Sequence, residues 1–244
     1  AHAFLKQITG AGRNWVYPCR GLRRKNIAEA LLVQRCMDPG AATVTTGGPS
    51  SAAEADYYAS LEQAALQHGW PLFMGVCMRP EASPVPDIVA AAATIPMTSL
   101  REGFGLPYHE AANFGRPLLA RIPEGLLSTL HATGLVLESC WETLEIPRHQ
   151  FDGKSEMARR DGGLARVEGL LPEALRPLPF QGSALSGPTV DFGSLSLTAQ
   201  LEVLSQPEAV LRESVLALNP ALAQPLVPQR PGRLWPAELW AKTM

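Results

Sequence analysis

The sequence predicts an α/β fold with a mostly parallel sheet, followed by a Pro-rich, partly helical extension. Three observations carry this. Through the first two-thirds of the chain, short apolar or β-branched runs alternate with stretches of helical periodicity. That alternation is the pattern of a parallel sheet with helices on both faces, a Rossmann-like architecture. From about residue 145 the rhythm stops and prolines accumulate, at Pro172, Pro177, Pro179, Pro188, Pro220, Pro225, Pro228, Pro231 and Pro236. The reading therefore divides the chain into a Rossmann-like domain at 1–145 and an extension packing on it at 146–244.

The elements follow in order. Trp15–Pro18 reads as a short strand. Asn26 is placed to cap a helix that runs to Val33, with Ile27, Ala30, Leu31 and Gln34 at helical spacing. Ala42–Thr46 is a β-branched strand stopped by Gly47-Gly48-Pro49. Ala52–His68 is a long amphipathic helix closed by Gly69. Leu72–Val76 and Thr94–Met97 read as strands, with a short helix at Asp87–Ala92 between them. A helix over Pro107–Phe114 and a strand at Pro117–Ala120 complete the domain. In the extension, Asp161-Gly162-Gly163 reads as a turn, and Leu197–Leu218 as helix broken at Pro207. The Pro-rich end reads as an extended surface wrap.

Composition excludes several functions. Of 244 residues, 21 are Lys or Arg and 23 are Asp or Glu, a formal charge of -2. A near-neutral chain is not built to hold nucleic acid. Hydrophobic residues make up 46%, enough for a core, yet no apolar run reaches the roughly 18 residues of a membrane span. Cys19, Cys36, Cys77 and Cys140 are far apart and form no C-x-x-C pair, so they read as reduced thiols of a cytoplasmic protein and not as a zinc site. His2, His68, His131 and His149 have no ligand spacing.

In parallel sheets, ligands bind at the carboxyl ends of strands, so the loops after strands hold the candidates. The most informative runs from Thr98 through Ser99, Glu102, Gly103, Phe104, Gly105, Leu106 and Pro107 to Glu110. Its glycines let a ligand approach the backbone, and Pro107 suits a first helical turn. The open N–H groups around Gly105 and Leu106 suit a diphosphate. Glu102 and Glu110, at either end, suit hydroxyl groups. A second cluster, Arg20-Gly21-Leu22-Arg23-Arg24-Lys25-Asn26, also lies between a strand and a helix. Its cations neutralise phosphate. Thr46–Ser51 reads as a turn, and His109 points away from Glu110's face of the helix.

The string Glu102-x-Phe104-Gly105…Glu110, with Gly115-Arg116-Pro117 behind it, resembles the E-x7-E signature of retaining GT-B glycosyltransferases of the group 1 family. The basic turn upstream resembles that family's Arg and Lys pair. The resemblance covers about residues 14–140 and implies the C-terminal, nucleotide-sugar-binding half of a GT-B fold. It implies that Arg20 and Lys25 bind the donor diphosphate, with Arg23 and Arg24 as alternatives for the arginine. Glu102 would hold hydroxyls of the transferred sugar. Ser99, Phe104, Gly105 and Leu106 would contact the donor, and Glu110 the ribose. The implied reaction moves a hexose from a nucleotide diphosphate sugar to an unknown acceptor with retained configuration, without a metal or other cofactor. About thirteen residues precede the first predicted strand, so the acceptor-binding N-terminal domain is expected to be cut off or to lie on another chain. The alternative is a non-catalytic module of the same fold that binds nucleotide or a partner.

Overall fold

The computed structural model of the chain describes residues 1–102, 106–123, 125–135, 137, 139–172, 185 and 187–228. Two three-stranded parallel sheets form its centre. The first contains β1 (Asn14–Tyr17), β2 (Ala42–Thr45) and β3 (Leu72–Phe73). The second contains β4 (Ile95–Met97), β5 (Leu118–Arg121) and β6 (Cys140–Trp141). They join through β1 and β4. Trp15 and Thr94 form a parallel bridge, Val16 N–H donates to the Thr94 carbonyl at 3.0 Å, and Ala93 N–H to that of Asn14 at 2.8 Å. The strand order across the molecule is therefore β3-β2-β1-β4-β5-β6, and it reverses direction between β1 and β4. That reversal opens a crevice at the carboxyl ends of the two strands, where doubly wound proteins bind ligands. The expected α/β class, with parallel strands flanked by helices, is the observed one.

The strands are short and buried throughout: every residue of β1, β2, β4 and β5 is covered. This is why they read as continuous apolar runs. The third strand is shorter than expected. It ends at Phe73, because Gly75 takes a left-handed conformation (φ 64°) and the chain turns into a short 3-10 helix at Val76–Met78.

The helices are α1 (His2–Thr9), α2 (Ile27–Met37), α3 (Ala52–His68), α4 (Val85–Ala90), α5 (Leu106–Asn113) and α6 (Leu126–Ala132). The first of these was not expected; it docks Leu5 in the core, with Phe4 and Ile8 packed beside it. α3 matches its expected bounds. α2 is buried all the way round from Ile27 to Cys36, charged residues included. A helix buried on every side needs a cover on the face away from the sheet, and residues beyond 145 supply it. Here β7 (Glu145–Pro147) pairs antiparallel with β8 (Thr189–Asp191), and α8 (Leu197–Leu204) and α9 (Glu208–Leu218) lie against α2. The break between these two helices falls at Pro207.

Between β7 and β8 lies α7 (Gly153–Leu170). Asp161-Gly162-Gly163, expected as a turn, lies inside this helix. The helix start overrides the glycines. Asp152 accepts from the N–H groups of Lys154 (3.0 Å) and Ser155 (3.2 Å), the geometry of an N-cap. One turn on, Glu156 is fixed by Arg160 (3.0 Å) and by the backbone N–H of Ser196 (3.0 Å). Of the Pro-rich end, Pro220–Ala223 is a 3-10 turn and Pro228 bridges to Pro117; Pro177, Pro179, Pro231 and Pro236 lie outside the described residues. All four cysteines are unpaired. Among the described residues no helix is long and apolar enough to cross a membrane.

Candidate functional site

Residues 18–26, after β1, and residues 98–102, after β4, lie side by side in the crevice. The contact is made of backbone and hydroxyl groups. Leu100 N–H donates to the Arg24 carbonyl at 2.8 Å. The Thr98 hydroxyl reaches the carbonyls of Lys25 (3.1 Å) and Asn26 (3.0 Å). The Tyr17 hydroxyl donates to the Lys25 carbonyl at 3.1 Å, so the Ser99 hydroxyl, 2.7 Å away, donates to Tyr17. Burial pushes the Tyr17 phenol well above its ordinary value, which keeps it a donor. Ser99 is fully buried. Its side chain props the basic turn through Tyr17.

Other elements grip the same turn. Arg23 N–H donates to Glu54 of α3 at 2.8 Å, and its guanidinium lies 5.4 Å from the Tyr57 ring centre. Gly21 leaves room for Tyr58: a Cβ there would fall 2.2 Å from the ring. The Gly48 carbonyl accepts from Gly21 N–H at 2.8 Å, so Thr46–Ser51, expected as a turn, backs onto the basic cluster.

The side chains of this junction are Lys25 and Glu102. They form an ion pair, and both are more than nine-tenths buried. Arg24 stands 3.7 Å from the same carboxylate and donates to the Arg101 carbonyl at 3.0 Å. Arg23 is committed to α3. Arg20 is exposed, and its guanidinium makes no hydrogen bond or ion pair among the described residues. Of the three arginines in the turn, Arg20 is thus the one not already engaged.

Glu110 sits in the second turn of α5, half-buried. It lines a cavity of about 400 Å³ with Pro18 from the end of β1, Val85 and Val89 of α4, and Phe114. Burial pushes the Glu110 carboxyl above its ordinary value, while the charge of Lys25 pulls it back. The cavity and the ion pair are therefore electrostatic neighbours. This is an apolar slot with one carboxylate at its wall, within reach of a lysine's charge, and it suits a flat ring carrying hydroxyl groups.

The structure thus brings Lys25 and Glu102 into contact and leaves Glu110 within reach of the Lys25 charge. Leu106 begins α5. Phe104 and Gly105 lie outside the described residues. His109 is buried, with its Nε2 3.1 Å from the Thr133 hydroxyl. Among the described residues no three His, Cys, Asp or Glu side chains cluster to hold a metal. Sequence reasoning gave no role to Tyr17 or to Thr98, whose hydroxyls hold the Lys25 carbonyl, nor to the cavity wall of α4. No spacing marks these residues. A hydroxyl at a strand end is informative only once the neighbouring loop is known.

The sequence matches no protein-family model and no curated protein. Among solved structures, the chain is similar to the C-terminal domain of a group 1 family glycosyl transferase from Francisella tularensis, with 14% identity and a TM-score of 0.46, over 85% of this chain and 88% of that one. It is also similar to the Anabaena protein HepE in complex with UDP-glucose, at 17% identity and a TM-score of 0.44 over 90% of this chain. In that case it spans 50% of the other chain. The catalytic domain of a cholesterol-alpha-glucosyltransferase from Helicobacter pylori matches 53% of this chain and 76% of its own, at 12% identity and a TM-score of 0.40.

Proposed function

We propose that this chain is the donor-binding half of a glycosyltransferase that moves a hexose from a nucleotide diphosphate sugar to an acceptor, with retained configuration. One observation carries the reading: at the strand-order reversal, a lysine and a carboxylate are paired, and the lysine's charge reaches the carboxylate that walls a cavity. The base would enter the apolar slot, with Glu110 accepting from the ribose hydroxyls. Lys25 and the unengaged Arg20 would face the diphosphate and offset the charge that grows on it as the sugar leaves. Such a cationic pair does the electrostatic work without a metal. Donor binding would exchange partners at the ion pair. Lys25 turns from Glu102 to phosphate, and Glu102, released, accepts from sugar hydroxyls. The acceptor would be held by a second α/β domain, in the same chain or another one.

The mutual pairing of Lys25 and Glu102 favours a second reading. In it the crevice is closed by its own ion pair and the chain is a nucleotide-binding module without turnover. Calorimetry with UDP-, GDP- and ADP-glucose separates these readings from neither. Under the first, one donor binds, and Lys25→Ala and Glu110→Ala each weaken it by about 1–3 kcal/mol, the scale of a hydrogen bond to a charged group. Because an ionised carboxylate accepts from a hydroxyl more strongly than a neutral carboxyl does, affinity falls as the pH drops through the raised Glu110 value, and Lys25→Ala moves that fall to higher pH. Glu102→Gln leaves nucleotide affinity largely intact and abolishes the preference for a sugar-bearing nucleotide over the bare diphosphate. Under the module reading that preference is absent from the start. Affinity unchanged in both Lys25→Ala and Glu110→Ala removes both assignments.

A further inference from the structure

Lys25 is followed by a backbone conformation that the chain takes trouble to hold. Among the described residues, Asn26 is the one non-glycine residue with positive φ, at 50°. That left-handed region is disfavoured by a Cβ and tolerated best by Asn. Asn26 stands at the head of α2, yet its side chain does not cap the helix. It is engaged elsewhere. Its amide nitrogen donates to Glu29 at 2.6 Å, and its amide oxygen accepts from Gln200 of α8 at 2.9 Å. Gln200 gives its other N–H to the Phe192 carbonyl at 3.0 Å. The chemistry admits one orientation for both amides, since Glu29 as a carboxylate takes the NH₂ of Asn26 and leaves its oxygen for a donor. Glu29 is fixed in turn by Arg121 (2.8 and 2.7 Å) and Trp141 (2.9 Å). Asn26, Glu29 and Gln200 are all at most 4% exposed.

Two things follow. The turn that presents Lys25 is held from the crevice side by Tyr17 and Thr98, and from the far side by a residue 174 positions later in the chain. The extension thus reaches the back of the crevice. We propose that Gln200 is a positioning residue: by holding the Asn26 amide it fixes the left-handed turn that aims Lys25 at the diphosphate. The inference rests on the reading of Lys25 given above. It adds to that reading a role for α8, which reaches the turn from behind through Asn26.

The test uses the whole chain and two readouts. Hydrogen exchange needs no ligand. Gln200→Met keeps the volume and removes the donor, so amide exchange across residues 20–26 is expected to speed up about tenfold while that of β2 and β5 is unchanged. Unchanged exchange in that turn overturns the proposal. The second readout compares UDP, GDP and ADP with uridine, guanosine and adenosine. In Gln200→Met, affinity for the diphosphate falls about tenfold, the scale of one buried hydrogen bond, and affinity for the nucleoside does not change. Glycine accepts positive φ without help, so in the Asn26→Gly background the same substitution costs less than about twofold. An equal loss for nucleoside and diphosphate, or a loss undiminished in the Asn26→Gly background, marks Gln200 as merely structural and overturns the proposal. Lys25→Ala is the control: if it leaves diphosphate affinity intact, the reading of Lys25 fails, and hydrogen exchange still decides whether Gln200 holds the turn. If Gln200→Met does not fold, Asn26→Ala gives the same pair of readouts from the other end of the bond.

Discussion

Glu29 with Arg121, and Lys25 with Glu102, are both ion pairs whose side chains are less than a tenth exposed. Their surroundings differ. Glu29 accepts two hydrogen bonds from Arg121, one from Trp141 and one from Asn26. Arg121 also donates to Asp191 (2.6 and 3.2 Å) and to the Glu142 carbonyl (2.6 Å). Burial works against the guanidinium charge, but Glu29 and Asp191 more than offset it and hold Arg121 firmly cationic. Lys25 has three N–H donors and directs one to Glu102, at the edge of a crevice. The first pair has no valence left to offer a ligand. The second has. A buried charge pair that joins elements is closed by its neighbours, whereas one that serves a ligand is left with capacity.

The largest effect should come from breaking the closed pair. Glu29→Ala leaves the Arg121 guanidinium short of its main partner and two further donors unpaired, and should cost about 3–5 kcal/mol in denaturant unfolding. Lys25→Met should cost about 1–2 kcal/mol, because Arg24 and solvent at the crevice mouth remain for Glu102. The contrast is the test. If the two variants lose equal stability, the crevice pair is as structural as the other, and the distinction between them fails.

A third cluster sharpens the comparison because it is half closed. Glu156 of α7 accepts from Ser196 through both N–H and hydroxyl, and pairs with Arg159 and Arg160. Burial raises its carboxyl, but the Ser196 and Arg160 contacts outweigh burial and hold it below its ordinary value. The sign follows from linkage. A carboxylate with a depressed folded value contributes stability that is present above its unfolded value, about 4.5, and lost as the pH falls through the folded one. Glu156→Gln should therefore cost about 1–2 kcal/mol near neutral pH. Its deficit relative to the unmutated chain should shrink in acid melts below about pH 4.5. A deficit independent of pH would show that the glutamine, and not the lost charge, is at fault.

These clusters also explain which parts of the molecule were readable in the sequence. The crevice was readable because its residues are close in sequence to strand ends: Arg20 and Lys25 follow β1, and Ser99 and Glu102 follow β4. Position along the strand pattern placed them in neighbouring loops. The cover over α2 was not readable. Glu29 and Arg35 carry charges that composition alone assigns to a solvated face, and their partners are distant. Arg121 lies 92 residues from Glu29, and the Leu204 carbonyl that binds Arg35 lies 169 residues away. A charge in a helix reads as exposed until its partner is known. Ser99 stands in the expected loop, but its hydroxyl contact with Tyr17 was not readable, because a side chain's direction is set by packing.

The smallest effect is expected where the chain has no pair of either kind. From Asp161 to Val167 every residue of α7 is exposed. Gly162 and Gly163 lie there without a reason of space, since a Cβ at either would meet nothing within 4 Å. Neither has positive φ, so an alanine fits the helical backbone as it stands. Glycine inside an exposed helix costs about 1 kcal/mol relative to alanine, through the greater freedom of its unfolded chain. Gly163→Ala should therefore stabilise by about 0.5–1 kcal/mol if the outer turns of α7 unfold together with the core. The measurement that matters is where this gain appears. If it is seen in local hydrogen exchange of α7 and not in the global melt, those turns open independently of the core, and the anchoring by Glu156 reaches no further than the first half of the helix. If the global melt carries it, the helix melts as one unit with α8, through the Ser196 contacts that join them.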